Sequence, residues 1–143
     1  MKNVVINRCF GGFGLSDEAV REYAKLKGFD VFGYVNPPHD FNSYVRIENS
    51  LNSFLTYWVK EDAGDNPTNE EINKVEWLHQ RDIPRDDEAL IKVVKTLKKK
   101  ANGRCADLQI VKIPDDVEYE ISELEKSKGI LTTPFDWLII FFI

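Results

Sequence analysis

The chain has 143 residues and a formal net charge of −5, with 43% hydrophobic and 30% charged residues. This length is typical of one domain with its own hydrophobic core, so we expect a single domain over 1–143. The acidic balance argues against a protein that binds bulk DNA or RNA through a basic surface. The two cysteines, Cys9 and Cys105, lie far apart and outside any metal-ligand spacing. We therefore expect no metal site and no cofactor.

The N-terminal segment predicts a strand followed by a helix. The apolar run 4–6 is typical of a strand buried on both faces, and we place this strand at 3–8. A helix is predicted over 16–27, with Ser16 as its N-cap and Gly28 as the residue that ends it.

The middle of the chain predicts short strands and one short helix. Aromatic and β-branched residues concentrate in three segments, 30–35, 43–47 and 53–60. Thr68 and Glu71 have the spacing of a capping box, in which each side chain accepts a backbone N–H from the other residue. This motif predicts a helix that runs through about His79.

The second half of the chain predicts the longest helix, over 87–101, with Asp86 or Asp87 as its cap. Its apolar residues recur at helical spacing on one face: Leu90, Val93, Val94, Leu97 and Ala101. Lysines occupy the other face: Lys92, Lys95, Lys98, Lys99 and Lys100. We interpret the lysines as a solvated face whose charge complements the helix dipole. On the apolar face we expect Leu90, Val94 and Leu97 to be core residues.

Two segments of alternating polarity follow, 107–113 and 117–122, on either side of a turn at Pro114. They predict an antiparallel hairpin at a sheet edge. The chain then ends on the apolar run 135–143, within a divergent tail over 124–143. A spanning helix needs about 20 apolar residues, so we favour a final strand or a subunit contact, and we expect a homo-oligomer.

These elements predict an α+β fold. We expect a mixed or antiparallel sheet of about four to six strands, on which the helices 16–27 and 87–101 pack. The apolar run 4–6 is too short for a signal peptide, which favours a cytoplasmic location without membrane contact.

The most informative stretch is the glycine corner, residues 11–16, between the first strand and the first helix. A loop without side-chain bulk that leads into a helix can bind an anion through backbone N–H groups, which favours a phosphate-bearing ligand. The alternative is a structural corner, in which the glycines form a tight turn and Ser16 only caps the helix. The spacing matches no phosphate-loop fingerprint, and Asp17 and Glu18 would repel a phosphate.

Arginine and aromatic residues supply the other candidate contacts. Arginine offers bidentate contacts to phosphate, and an aromatic ring such as Phe13 or Trp77 can stack on a base. The predicted ligand-binding residues are Gly11, Gly12, Phe13, Gly14, Ser16, Arg81, Arg85 and Arg104.

Three segments carry a resemblance. They are V-V-I-N-x-C-F-G-G-F-G-L-S at 4–16, I-P-R-D-D-x-x-L-I-x-V-V at 83–94 and A-N-G-R-C-A-D-L-x-I-V-x-I-P-D-D-V-E-Y-E-I at 101–121. Together they resemble a family of small uncharacterised proteins from tailed bacteriophages and large DNA viruses. The resemblance implies a viral origin and action in the cytoplasm of the infected cell, and it implies no particular activity. The apolar tail departs from the polar end of that family.

Three functions follow as hypotheses. The first is a non-catalytic viral accessory protein that binds a small phosphorylated ligand, such as a host immune nucleotide. The second is a protein-interaction module that inhibits a host defence protein or assembles with itself. The third and weakest is an enzyme, in which Cys9 would be a nucleophile with His39 or His79 as its base.

Overall fold

A computed structural model describes residues 1–8, 13–48, 56–103, 106–124 and 135–142. The elements, in chain order, are β1 (Lys2–Asn7), α1 (Asp17–Lys27), β2 (Phe32–Val35), β3 (Val45–Ile47), β4 (Tyr57–Val59), α2 (Asn69–Ile72), α3 (Glu88–Leu97), β5 (Leu108–Ile113), β6 (Val117–Leu124) and β7 (Phe135–Phe142). Short 3₁₀ helices lie at Gln80–Asp82 and Lys98–Ala101. The chain divides into two compact units, residues 1–23 with 80–143, and residues 24–79.

The α+β fold class is confirmed, with two main helices that pack on antiparallel sheets. Within the described ranges the strands form three small sheets, β1 with β5, β3-β2-β4, and β6 with β7. Periodicity reports which face of a strand is buried but not which strand lies beside it. The sequence therefore predicted the strands, whereas their division among separate sheets follows from long-range pairing.

The predicted hairpin between 107–113 and 117–122 is wrong. Both segments are strands, but β5 pairs along its length with β1, and β6 pairs with β7. The apolar tail supplies an eight-residue partner for β6, from Phe135 to Phe142, and this long register competes with a local hairpin. The expectation of a final strand in the tail is confirmed.

Strand β1 is the centre of the first unit. Val4 and Val5 are fully buried and Ile6 is nearly so, as the apolar run predicted. One edge of β1 pairs with β5, while on the other edge the N–H of Val5 donates to the carbonyl oxygen of Arg85 at 2.8 Å. The segment before α3 thus covers part of the edge that β5 leaves open.

Helix α1 begins and ends where the sequence predicted. The hydroxyl oxygen of Ser16 accepts the N–H of Ala19 at 3.1 Å, which satisfies one free donor of the first turn. Gly28 has a φ of +83° and directs its N–H to the carbonyl oxygen of Ala24. This left-handed conformation is readily adopted by glycine and ends the helix.

Helix α3 is shorter than predicted. Asp87 caps it by accepting the N–H groups of Ala89 and Leu90 at 2.8 and 3.1 Å. The α-helix ends at Leu97 because Lys98 has a φ of +54°, and a 3₁₀ helix then runs to Ala101. Buried residues of α3 include Leu90, Ile91, Val93 and Val94. Leu97 is only half-buried, so its assignment to the core is wrong.

The second unit is built on the sheet β3-β2-β4. Its core contains the fully buried Tyr34, Val59 and Ile72. The capping box of Thr68 and Glu71 is confirmed, but the helix that it opens ends at Ile72 and does not reach His79. The indole N–H of Trp77 donates to the carbonyl oxygen of Ile72 at 2.9 Å, so the chain after α2 folds back on its end.

Candidate functional site

Ser16 links the start of α1 to the end of the α3 segment. Its N–H donates to the carbonyl oxygen of Ala101 at 2.9 Å, and its hydroxyl donates to that of Lys100 at 2.6 Å. The same hydroxyl oxygen accepts the N–H of Ala19. Ser16 is therefore a cap and a tertiary link at once, and these contacts already use its backbone donor.

Gly14 lies in close contact with Gly103. The N–H of Gly103 donates to the carbonyl oxygen of Gly14 at 2.8 Å, and Leu15 bridges Asn102 next to this contact. A Cβ on Gly103 would lie 2.8 Å from the carbonyl carbon of Gly14, whereas a Cβ on Gly14 would have its nearest such neighbour at 3.9 Å. Gly14 is also outside the left-handed region. Of the two positions, it is therefore Gly103, and not Gly14, that has no room for a side chain.

The corner is also joined to the segment that carries Arg81. The N–H of Leu15 donates to the side-chain oxygen of Gln80 at 2.7 Å. Gln80 begins the 3₁₀ helix Gln80–Asp82, in which Arg81 is exposed. This contact holds an arginine-bearing helix against the corner.

Arg85 stacks on Phe13. The guanidinium carbon lies 3.8 Å from the centroid of the phenyl ring, which is a close cation–π contact. Phe13 is buried, at 7% exposure, and Arg85 is half-buried. Arg85 is also held by β1, because its Nη1 donates to the carbonyl oxygen of Val5 at 3.4 Å.

The structure therefore brings together Phe13, Gly14, Ser16 and Arg85, and it ties the helix of Arg81 to them. Gly11, Gly12 and Arg104 lie outside the described residues, although Gly103, which precedes Arg104 in the chain, contacts Gly14. Sequence reasoning missed Gln80, for which no local signal exists. It also did not predict the close backbone approach of Gly103 to Gly14.

Negative charge lies at the beginning of α1. Asp17 and Glu18 are in its first turn, and Asp17 is buried at 8% exposure. A carboxylate at this helix end complements the dipole in the way that a bound anion would. A phosphate at the corner would therefore depend on the arginines more than on the helix N-terminus.

The described residues do not show the catalytic pair of the enzyme hypothesis, Cys9 with His39 or His79. His39 lies in an exposed turn with a φ of +64°, and His79 stacks on Trp77 with ring centroids 5.9 Å apart. Cys9 lies outside the described residues. Among the residues that the structure describes, no group of three or more histidine, cysteine, aspartate or glutamate side chains could hold a metal ion.

The second unit contains a polar network around Tyr34. The Tyr34 hydroxyl donates to the carbonyl oxygen of Gly64 at 2.9 Å and accepts the N–H of Ala63 at 3.0 Å. Arg46 donates to both carboxylate oxygens of Asp62, at 2.6 and 2.7 Å. Burial raises the pKa of Tyr34, while the Gly64 N–H and then Arg46 lower the pKa of Asp62. These contacts fix a loop, and we assign the network a structural role.

Comparisons of this chain with protein-family models, with curated proteins and with solved structures find no match. In the described ranges, no helix has both the length and the apolar character needed to cross a bilayer.

Proposed function

We propose that this protein is a non-catalytic binding protein for a small phosphorylated ligand, with the contact made at the glycine corner. The observation that carries the proposal is the stack of Arg85 on Phe13 beside the capped start of α1. Stacking engages the flat face of a guanidinium, while its hydrogen-bond donors lie in the plane of the group. That orientation suits bidentate contact with a phosphate.

The internal hydrogen bonds of the corner define which groups would hold the phosphate. The N–H groups of Leu15, Ser16 and Ala19 already bond within the protein. We propose that Arg85 and Arg81 bind the phosphate, since a guanidinium has five N–H donors and can keep internal contacts such as the bond from Arg85 to Val5. We keep Gly11, Gly12 and Arg104 among the proposed ligand-binding residues. Ser16 also stays among them, because it lies at the start of α1.

The resemblance to viral proteins adds a biological setting to the proposal. We propose a viral accessory protein that acts in the cytoplasm of the infected cell and removes a host signalling nucleotide by binding it. Such a role requires affinity for the ligand but no chemical step.

The experiment is a thermal-shift titration of the full chain with nucleoside triphosphates, cyclic dinucleotides and ADP-ribose. A ligand at 100 times its Kd stabilises the folded state by about 2.7 kcal/mol, which is readily measured. We expect one of these probes to raise the melting temperature, and inorganic phosphate or added salt to weaken the effect. The Arg85→Met and Arg81→Ala variants should lose the response, while Lys74→Ala, an exposed charge change in the second unit, should keep it. No shift with any probe in folded wild-type protein contradicts the proposal.

A second candidate function is a protein-interaction module, and one exposed aromatic residue favours it. The side chain of Phe41 is 79% exposed, and Val45, at the start of the edge strand β3, is 38% exposed. Exposed apolar groups next to a strand edge are typical of a surface that binds another chain. Light scattering tests self-association. A Phe41→Ser variant that becomes monomeric, from an oligomeric wild type, would support this candidate.

A further inference from the structure

Asn102 and Gly103 form the one Asn-Gly pair in the sequence. Asparagine is a thermally labile residue, because the backbone nitrogen of the next residue can attack its side-chain amide. A glycine in the next position favours this attack, since it has no side chain that obstructs its own nitrogen. The pair is therefore the position at which this chain is most susceptible to losing an amide group.

The reaction needs no reagent other than water. The Gly103 nitrogen bonds to Cγ of Asn102, the bond from Cγ to the side-chain nitrogen breaks, and ammonia leaves with the amide proton of Gly103. The product is a five-membered cyclic imide. Water then opens this ring at one of its two carbonyl carbons and yields aspartate or isoaspartate. In isoaspartate the main chain runs through the former side-chain carbons.

The folded structure holds the attacking nitrogen of Gly103 in place. Its N–H donates to the carbonyl oxygen of Gly14 at 2.8 Å, so the proton that the reaction must remove is already bonded. A Cβ on Gly103 would lie 2.9 Å from that same oxygen. The two backbones are thus so close that Gly103 has little room to turn towards the side chain of Asn102.

Asn102 is held as well. Its Oδ1 accepts the N–H of Leu108 at 2.9 Å, which directs the side chain to the start of β5. Its backbone is extended, with a φ of −69° and a ψ of +129°, and pairs with Leu15 in an antiparallel bridge. Ring closure requires the Gly103 nitrogen and the Asn102 Cγ to meet on one side of the Asn102 backbone. An extended ψ turns the two atoms apart.

We infer that Asn102 is a site of self-deamidation whose rate is set by opening of the contact between Gly14 and Gly103. Two hydrogen bonds and the backbone conformation block the attack in the folded state. The reaction therefore proceeds from conformations in which this contact and the bond from Leu108 are broken, and local openings of this kind cost less than global unfolding. The reaction needs no ligand and is independent of the proposed binding function.

The two products differ in their effect on the glycine corner. Aspartate at position 102 keeps a side-chain oxygen that can accept the N–H of Leu108. Isoaspartate lengthens the main chain by one carbon, which moves Gly103 away from Gly14 and breaks the bridge to Leu15. Isoaspartate formation thus irreversibly separates the start of α1 from the segment that follows α3.

The test measures deamidation of the full chain by peptide mass mapping, with the aspartate and isoaspartate forms separated by chromatography. In urea, where the chain is unfolded, Asn102 should react at least about ten-fold faster than in the folded protein, which corresponds to an opening free energy of about 1.4 kcal/mol. In the same urea solution, Gly103→Ala should react more slowly than wild type, because its methyl group obstructs the attacking nitrogen.

Two glutamine variants test the role of the corner in the folded protein. Gln80→Ala removes the acceptor of the Leu15 N–H, beside the contact, and should speed deamidation about two- to ten-fold, the effect of losing one hydrogen bond. Gln109→Ala is the matched control. Its side chain donates to the exposed Asp107 on the surface of the same unit, so this variant should react at the wild-type rate.

Specific outcomes overturn the inference. They are equal rates in the folded and unfolded chain, no isoaspartate at position 102 in urea, a wild-type rate in Gln80→Ala, or the same acceleration in Gln109→Ala as in Gln80→Ala. The melting temperature of each variant shows that it is folded at the incubation temperature. The isoaspartate fraction of an aged wild-type sample should melt below the Asn102→Asp variant, and equal melting temperatures would contradict the assigned effect on the corner.

Discussion

Gly103 donates its backbone N–H to the carbonyl oxygen of Gly14 at 2.8 Å, and the two backbones are too close for a side chain on Gly103. This contact brings the start of α1 against the segment that follows α3. The glycine corner is therefore held by a backbone pair whose two residues are 89 positions apart in the sequence, from 14 to 103.

The two glycines of this contact should respond differently to substitution. Gly103→Ala should lower the free energy of unfolding by about 1–3 kcal/mol, because the added methyl group meets the backbone of Gly14. Gly14→Ala should change it by less than about 1 kcal/mol, since its Cβ has room. Urea denaturation of both variants measures the difference. Equal losses would contradict the close approach.

The stack of Arg85 on Phe13 should be visible as a coupling energy. In a double-mutant cycle with Arg85→Met and Phe13→Leu, we expect about 0.5–1 kcal/mol of interaction, the usual range for a cation–π contact. The cycle needs four free energies of unfolding, which are those of the wild type, the two single variants and the double variant. Additive effects would show that the two side chains act independently.

Replacing Lys98 with glycine should stabilise the folded protein. Its φ of +54° and ψ of −124° lie in a region that L-residues rarely adopt and glycine adopts easily. We expect Lys98→Gly to raise the free energy of unfolding by about 1 kcal/mol. Lys99→Gly, one residue later in the 3₁₀ helix, is the matched control and should not stabilise. A loss of stability in Lys98→Gly would refute the backbone assignment.

The Asp62 network should make stability depend on acid pH. The Gly64 N–H and Arg46 lower the pKa of Asp62 in the folded state below its unfolded value. The stabilisation is therefore present above the unfolded pKa, about 4, and is lost as the pH falls through the folded pKa. Urea midpoints between about pH 6 and pH 3 should fall less steeply for Asp62→Asn than for wild type.

Arg46→Met provides a second measurement of the same network. It removes one of the two main causes of the lowered Asp62 pKa but leaves the Gly64 N–H, which donates to Asp62 at 2.9 Å. Its acid dependence should lie between those of wild type and Asp62→Asn. If the urea midpoints of the three proteins changed with pH in the same way, Asp62 would not be a source of the acid dependence of stability.

The candidate site was predicted only in part. The Ser16 cap was predicted from the sequence, and Phe13 and Arg85 were predicted as separate ligand contacts, but their contact with each other was not predicted. The partners Gln80 and Gly103 were not predictable, because no local pattern connects them to residues 14 and 15.

The sequence by itself determined where the helices begin and where α1 ends. Caps and stops act within one helical turn, so Ser16, Gly28 and Thr68 could be assigned from their neighbours alone, and the cap of α3 was narrowed to Asp86 or Asp87. Only the tertiary structure decided which strand lies beside which. The pairing of β5 with β1, and of β6 with β7, depends on contacts between residues far apart in the chain. Hydrophobic periodicity marks the buried face of each strand equally well for any partner, and so it cannot select among them.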